Sequence, residues 1–245
     1  MNRGGSVPLL NMSAVLERAE ALLPSFRAAI ADIPPEAGFG GVWESEMLLF
    51  CAAIQPYAPK QILESGRGRG KSTLILARCF PEAQIISVEL DPLSQNAPVA
   101  EAKLKPYGNV KLLCGDSRKL LPQYLQSGDA VLLDGPKDFR ALGLAAELLR
   151  TGKPCTVFLH DLPADAPARK FIATHWPGAF FADEPSLQRF RALDDERDPL
   201  LGKRTRRYGI FACLPAGLPE PLWRLRLKLF FARMASALHS KRTVS

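Results

Sequence analysis

Short apolar runs alternate with longer amphipathic stretches between about residues 60 and 160, and this alternation constrains the fold more than any other feature. Such a pattern is typical of parallel strands whose two faces are both covered by helices. We therefore predict a doubly wound, mostly parallel α/β sheet of seven strands. The predicted strands are 61–63, 85–88, 110–113, 130–133 and 156–159, with two more at 179–182 and 208–214, and the predicted helices are 71–79, 93–105, 117–126 and 138–150.

The segments outside this pattern predict additional parts. Apolar residues at helical spacing over 15–30 predict a helix interrupted at Pro24, and a second helix is expected over 43–54. Residues 183–207 are polar and charged, which favours an inserted loop. The expected organisation is an N-terminal helical cap (1–58), an α/β core (59–215) and a basic C-terminal tail (216–245).

Several classes of protein are disfavoured by composition. No apolar run approaches the roughly 18 residues that span a bilayer. The five cysteines are odd in number and well separated, which fits free thiols in a reducing compartment. The first fifteen residues contain one Arg and a short apolar stretch, which makes a poor signal peptide. We expect a cytoplasmic protein.

A glycine-rich bend after the first predicted strand is the most informative motif. Gly66, Gly68 and Gly70 alternate after Glu64, and a helix is predicted to follow. Glycines at such a turn allow positive φ and let a ligand approach the bare backbone, and the helix start offers free N–H groups. A P-loop would need a glycine at position 65, and a dinucleotide fingerprint would need one at 71, so neither pattern is complete.

The pattern that does fit, Glu-x-Gly-x-Gly-x-Gly, resembles motif I of class I S-adenosylmethionine-dependent methyltransferases, which have a Rossmann-like fold. The resemblance implies that Glu64, Gly66, Gly68 and Gly70 bind the cofactor. It also implies that Glu89, at the end of the second strand, holds the ribose diol, with Asp91 as the lesser candidate.

Residues after the third strand extend this resemblance. Asp116 and Ser117 lie where the family contacts the adenine base. A polar side chain there is also typical of a helix N-cap, and Ser117 fits that simpler role.

The fourth strand is followed by Asp134 and Lys137, an Asp-x-x-Lys pattern similar to that of the catechol and caffeoyl-CoA O-methyltransferases. The resemblance implies that Asp134 binds a divalent metal such as Mg²⁺, and that Lys137, with a lowered pKa, takes the proton of the acceptor hydroxyl. The fifth strand ends in His160 and Asp161, followed by Leu162 where the subgroup has an Asn ligand. Metal binding by Asp134 and Asp161 therefore stays open, and without a metal Asp134, His160 or Asp161 could be the base.

The basic charge of the chain is concentrated near its C-terminus. Residues 201–245 contain ten Lys and Arg against one acid, Glu220. Within them, residues 222–238 place apolar and aromatic side chains on one helical stripe flanked by bases. Contact with an anionic membrane, a homodimer, and docking on the body of the protein are the alternatives. Nucleic acid is disfavoured because no recognition motif accompanies the charge.

We predict S-adenosylmethionine-dependent methyl transfer to a hydroxyl of a small molecule or sugar. One alternative is an NTPase that uses Gly70, Lys71 and Ser72, against which an acid at the mouth of the loop, Glu64, argues by repelling phosphate. Another is a non-catalytic module with the same fold that acts through its basic tail.

Overall fold

A computed structural model describes residues 10–34, 41–197 and 211–242 of the chain. Its elements alternate as the sequence predicts. The strands are β1 (Gln61–Ser65), β2 (Gln84–Glu89), β3 (Val110–Cys114), β4 (Ala130–Leu133), β5 (Thr156–Leu159), β6 (Phe180–Phe181) and β7 (Ala212–Pro215). The α-helices are α1 (Met12–Ile30), α2 (Glu44–Ile54), α3 (Lys71–Cys79), α4 (Ala97–Leu104), α5 (Ser117–Tyr124), α6 (Asp138–Arg150), α7 (Pro167–His175), α8 (Ala192–Arg197) and α9 (Leu222–Arg242).

The seven strands form one sheet in the order β3-β2-β1-β4-β5-β7-β6. Strands β1 to β5 are parallel, and β7 runs antiparallel to both β5 and β6. The order reverses between β1 and β4, and open α/β sheets bind ligands at the carboxyl ends of the strands beside such a reversal. The predicted doubly wound, mostly parallel sheet is confirmed.

Helices cover both faces of the sheet, which explains the apolar strands. Every residue of β1, β4 and β5 is buried. One core, with α1, α2 and α3, contains Phe50, Ile75 and Phe158, and the other, with α6, α7 and α9, contains Leu142 and Leu225. The N-terminal helices thus share a core with the sheet.

Two expectations about local structure are wrong. Helix α1 continues through Pro24, because that residue is exposed while Val15, Ala19, Phe26 and Ile30 bury the opposite face of the helix. Residues 185–197 are a 3₁₀ helix (Pro185–Arg191) followed by α8, where a loop was expected, because Leu187, Phe190 and Leu193 are buried. Residues 198–207 of that expected loop, and 208–210 of the last expected strand, lie outside the described residues.

Gly66 lies where β1 and β4 end side by side. Its φ is +89°, and a Cβ built on it would lie 2.8 Å from both the carbonyl carbon of Asp134 and the nitrogen of Gly135. The backbone nitrogens of Asp134 and Gly135 both donate to the Ser65 carbonyl, at 2.8 and 3.1 Å. Only glycine allows the bend and the strand end to approach this closely.

We expect Gly66→Ala to lower the free energy of unfolding by about 2 kcal/mol or more, because the added methyl group meets backbone that cannot move aside. The control is Gly143→Ala in α6, where an added Cβ meets no atom within 4 Å. Replacing a mid-helix glycine by alanine should raise stability by about 0.5–1 kcal/mol. Urea unfolding measures both, and equal effects of the two substitutions would contradict the close approach.

Candidate active site

The three glycines of the bend have different surroundings. All have positive φ, but a Cβ on Gly70 would lie 2.9 Å from the Leu104 side chain, whereas one on Gly68 would meet no atom within 4 Å. Gly66 and Gly70 are therefore required for packing, and Gly68 is the glycine that borders open space. A ligand that contacts the bend has bare backbone available at Gly68.

Glu89 faces this open part of the bend. One carboxylate oxygen accepts a hydrogen bond from the Gly68 nitrogen at 2.9 Å, and the other accepts from the Leu90 nitrogen at 2.8 Å. Each carboxylate oxygen has a second lone pair, so the group can still accept from a diol. Binding of a ribose by Glu89 stays a prediction.

Glu64 does not lie at the mouth of the bend, contrary to expectation. Its side chain is fully buried and accepts hydrogen bonds from Ser72 at 2.5 Å, from Ser87 at 2.6 Å and from Thr73. Burial raises the pKa of Glu64, and the three hydroxyls oppose that rise. Glu64 therefore ties β1, β2 and the start of α3 together behind the bend, and its direct contact with a cofactor is not supported.

The P-loop alternative is disfavoured by the contacts of Lys71 and Ser72. The Lys71 ammonium pairs with Glu44 of α2 at 3.5 Å, and the Ser72 hydroxyl donates to Glu64. A P-loop would need that ammonium on phosphate and that hydroxyl on Mg²⁺. Both groups are engaged with buried carboxylates here.

Asp116 and Ser117 lie at the end of β3, as predicted. Asp116 is the N-cap of α5, accepts from the Arg118 nitrogen at 2.9 Å and forms an ion pair with the Arg118 side chain. Ser117, which the sequence favoured as the cap, is instead the first helical residue and is nearly buried. Contact of either residue with the adenine base of a cofactor stays a prediction.

Arg67 is a residue of the bend that sequence reasoning missed. It is 3% exposed, and its guanidinium donates to the carbonyl oxygens of Ser87 at 2.9 Å and Leu113 at 3.3 Å, across β2 and β3. Its Nε has no hydrogen-bond partner among the described residues. An arginine between glycines in the sequence gives no sign that its side chain is buried.

Charged residues meet at the carboxyl ends of β4 and β5, beside the glycine bend. His160 Nδ1 lies 2.5 Å from Asp134 Oδ1 and 3.4 Å from Asp161 Oδ1. The Lys137 ammonium lies 2.5 Å from Asp134 Oδ1 and also pairs with Asp161. The four residues predicted to be catalytic are thus brought together.

Backbone geometry marks the same place. Asp161 has a φ of 58° and Asp138, which follows Lys137, a φ of 53°. Residues other than glycine rarely adopt this left-handed conformation, and such strain is concentrated at functional sites.

Glu46 of α2 completes the cluster and was not found from the sequence. Its Oε2 lies 3.2 Å from His160 Nε2 and accepts from the Trp43 nitrogen at 3.0 Å, while its Oε1 is buried without a partner in the described part of the chain. The available signal was an acid at the start of an otherwise apolar helix. His160 therefore lies between two carboxylates, and its ring packs edge-on against Phe211.

The protonation states follow from this geometry. Burial alone would lower the pKa of His160, but the Glu46 and Asp134 carboxylates raise it to about 10, so the ring is an imidazolium at neutral pH. Burial raises the pKa of Glu46 to about 7, against the opposing charge of His160. Burial likewise favours protonated Asp134, but the charges of His160 and Lys137 hold the pKa of Asp134 below its ordinary value.

Lys137 does not have the lowered pKa that a general base requires. Burial would lower the pKa of Lys137, but its ion pairs with Asp134 and Asp161 raise it. The ion pairs favour the ammonium form of Lys137 and the imidazolium form of His160, which is opposite to the neutral form that a general base needs. A catalytic role for either residue stays a prediction.

The cluster does not fit a divalent metal as it is arranged. Ligand atoms of Asp134, His160 and Asp161 lie within 4.8 Å of one another. Both His160 nitrogens, however, face carboxylates, and the Lys137 ammonium bridges the two aspartates. Mg²⁺ prefers oxygen ligands, and the side chain of Leu162, which follows Asp161, supplies none. The chain's own cations neutralise the carboxylates where a metal was expected.

Comparison with known proteins supports the family resemblance. A family model described as "Putative methyltransferase" matches residues 59–131, from before β1 to the start of β4. This match confirms the predicted resemblance to methyltransferases over the segment that contains the glycine bend. A search of curated proteins gives no significant match.

Solved structures with a similar fold include several methyltransferases. The O-methyltransferase TomG from Streptomyces achromogenes, in complex with SAM, is 19% identical over 86% of this chain and 93% of its own, with a TM-score of 0.47. The O-methyltransferase from Bacillus cereus, in complex with SAH, is 17% identical over 81% and 90%, with a TM-score of 0.44. A fibrillarin/Nop5p complex is 17% identical over 65% and 73%, with a TM-score of 0.46. These values are too low to transfer the functions of those proteins to this chain.

We expect His160→Gln to lower the free energy of unfolding by about 3 kcal/mol near neutral pH, because it leaves buried Glu46 without its cation and Asp134 with Lys137 alone. Since the pKa of His160 is higher in the folded protein (about 10) than in the unfolded chain (6.5), its stabilisation is complete below 6.5 and is lost as the pH rises toward 10. The penalty should therefore shrink over that interval in urea titrations.

The control for this substitution is His175→Gln, at the end of α7 and outside the cluster. A His160→Gln penalty that stays constant with pH, or that equals the penalty of His175→Gln, would contradict the imidazolium assignment.

Proposed function

We propose that this protein transfers the methyl group of S-adenosylmethionine to an oxygen of a small molecule or sugar. The observation that carries the proposal is the contact of Gly66 with the backbone of Asp134, which joins the glycine bend to the strand end that carries the Asp134–Lys137–Asp161 cluster. A bend that leaves its backbone open at Gly68 and a group of charged residues thus follow adjacent strand ends.

The residues around the bend fit the cofactor. Gly68 leaves room for a ligand against the backbone, and the Glu89 carboxylate beside it can accept hydrogen bonds from a ribose diol. When bound, S-adenosylmethionine would supply a methyl group made electrophilic by its sulfonium, and the carbon–sulfur bond that breaks would leave the neutral thioether S-adenosylhomocysteine.

The cluster suits a hydroxyl acceptor. A hydroxyl attacks a methyl carbon well only as its proton is lost, so the site needs a base and a compensating charge. Asp161 is the more exposed of the two aspartates and takes the proton, while Lys137 holds a positive charge beside the oxygen that becomes negative. Glu46, His160 and Asp134 position these groups and do not themselves take the proton.

Cofactor binding is the first test. We expect the protein to bind S-adenosylmethionine in isothermal titration, and Glu89→Ala to weaken binding about tenfold or more, because hydrogen bonds to a charged group are lost. The control is Glu82→Ala, an exposed acid in the turn before β2. Binding of ATP without binding of S-adenosylmethionine would contradict the proposal and favour the NTPase alternative.

Metal removal is a second test. Because Lys137 and His160 already neutralise the carboxylates, we expect methyl transfer to continue after treatment with EDTA.

Lys137→Ala should reduce kcat by about a hundredfold or more, since it removes the charge next to the acceptor oxygen. EDTA treatment of the unsubstituted protein is the companion measurement. Activity that EDTA abolishes and Mg²⁺ restores would show that Asp134 and Asp161 bind a metal after all.

A further inference from the structure

Helix α9 has two apolar faces, and one of them is docked on the body of the protein. Leu225 is fully buried, and Leu222, Leu229 and Ala232 pack against the core that α6 and α7 share. Arg226 pairs with Glu147 of α6 at 2.5 Å and fixes the helix at its flank. This docked face explains why the helix is not cleanly amphipathic in sequence.

The other apolar face points away from the body. Five large side chains on it are between 48% and 64% exposed, namely Trp223, Leu227, Phe230, Phe231 and Met234. At 100° per residue they form one stripe along the helix, almost opposite the docked face. We call these five residues the outer stripe. Large contiguous apolar surface on a folded protein marks an interaction site.

The charged side chains beside the outer stripe indicate which kind of surface it contacts. Residues 221–242 contain six Lys and Arg and no acid. Arg224 and Lys228 lie along one edge of the outer stripe, and Arg226 and Arg233 along the other. Lys228 pairs with Glu220 at 2.8 Å and Arg226 with Glu147, so the charge complementarity rests on Arg224 and Arg233. The Arg224 guanidinium lies 5.1 Å from the centre of the Trp223 ring. An apolar stripe between two rows of bases is complementary to a surface that is apolar inside and negative at its rim.

We propose that α9 binds the surface of an anionic lipid bilayer, with the outer stripe inserted between the lipid headgroups and with Arg224 and Arg233 on their phosphates. No helix in the described residues is long and apolar enough to cross a membrane, so the contact is peripheral. The docked face keeps α9 on the protein, which would hold the whole chain at the membrane.

A second copy of the chain fits the outer stripe less well. Two α9 helices packed through their outer stripes would bring the same bases against one another, and α9 contains no acid to pair with them. A lipid surface with negative headgroups supplies the opposite charge along the full length of the helix.

Vesicle binding of the full chain tests the proposal. The protein should sediment with vesicles in which phosphatidylserine replaces part of the phosphatidylcholine, should stay in solution with phosphatidylcholine alone, and should be released by added salt. The double substitution F230S/F231S should weaken sedimentation at least about tenfold, because two aromatic rings that would be buried in the bilayer are lost. The control is Leu93→Ser, which removes an even more exposed apolar side chain outside α9 and should leave sedimentation unchanged.

Four results would contradict membrane binding by α9. Failure of the unsubstituted protein to sediment with the anionic vesicles, or equal sedimentation of the double variant, would overturn the proposal. So would a dimer in light scattering that F230S/F231S converts to a monomer, or binding of a single-stranded oligonucleotide that depends on the same two residues. Circular dichroism of the double variant confirms that it is folded, as its exposed positions lead us to expect.

Discussion

The close backbone contact between Gly66 and the Asp134–Gly135 turn is the constraint on which the rest of the site depends. It holds the glycine bend after β1 against the end of β4, at the point where the strand order reverses. The bend, where Glu89 is bonded to Gly68, and the cluster around Lys137 then follow the adjacent ends of β1 and β4. A cofactor at the bend and an acceptor at the cluster would meet at the carboxyl ends of these two strands.

The electrostatics of the cluster depend on a helix far away in sequence. Three carboxylates, from Glu46, Asp134 and Asp161, surround two cations, so burial of the group is compensated within the chain. Glu46 comes from α2, whose neighbouring residues Glu44 and Ser45 contact Lys71 and Asp194. Helix α2 therefore contributes directly to the site through Glu46.

The sequence predicts the regular part of this fold well, because strands buried on both faces leave an unmistakable pattern. The strands at 130–133 and 156–159 and the helices at 71–79 and 138–150 agree with the structure to the residue. Prediction failed where tertiary contacts decide, as in the 3₁₀ and α-helical segment 185–197, which is anchored by a few buried apolar residues, and at Pro24, which α1 accommodates on its exposed side. Among site residues, Glu64 points into the interior because three hydroxyl groups there donate hydrogen bonds to it. The Glu46–His160 contact joins two residues that are far apart in the sequence, so no local pattern could predict it.

A crystal structure with S-adenosylhomocysteine would show where the cofactor binds. We expect the ribose hydroxyls within hydrogen-bond distance of Glu89, the nucleoside against the backbone of Gly68, and the sulfur facing Lys137 and Asp161. A nucleoside bound elsewhere on the sheet, or a sulfur that points away from this cluster, would contradict this expectation.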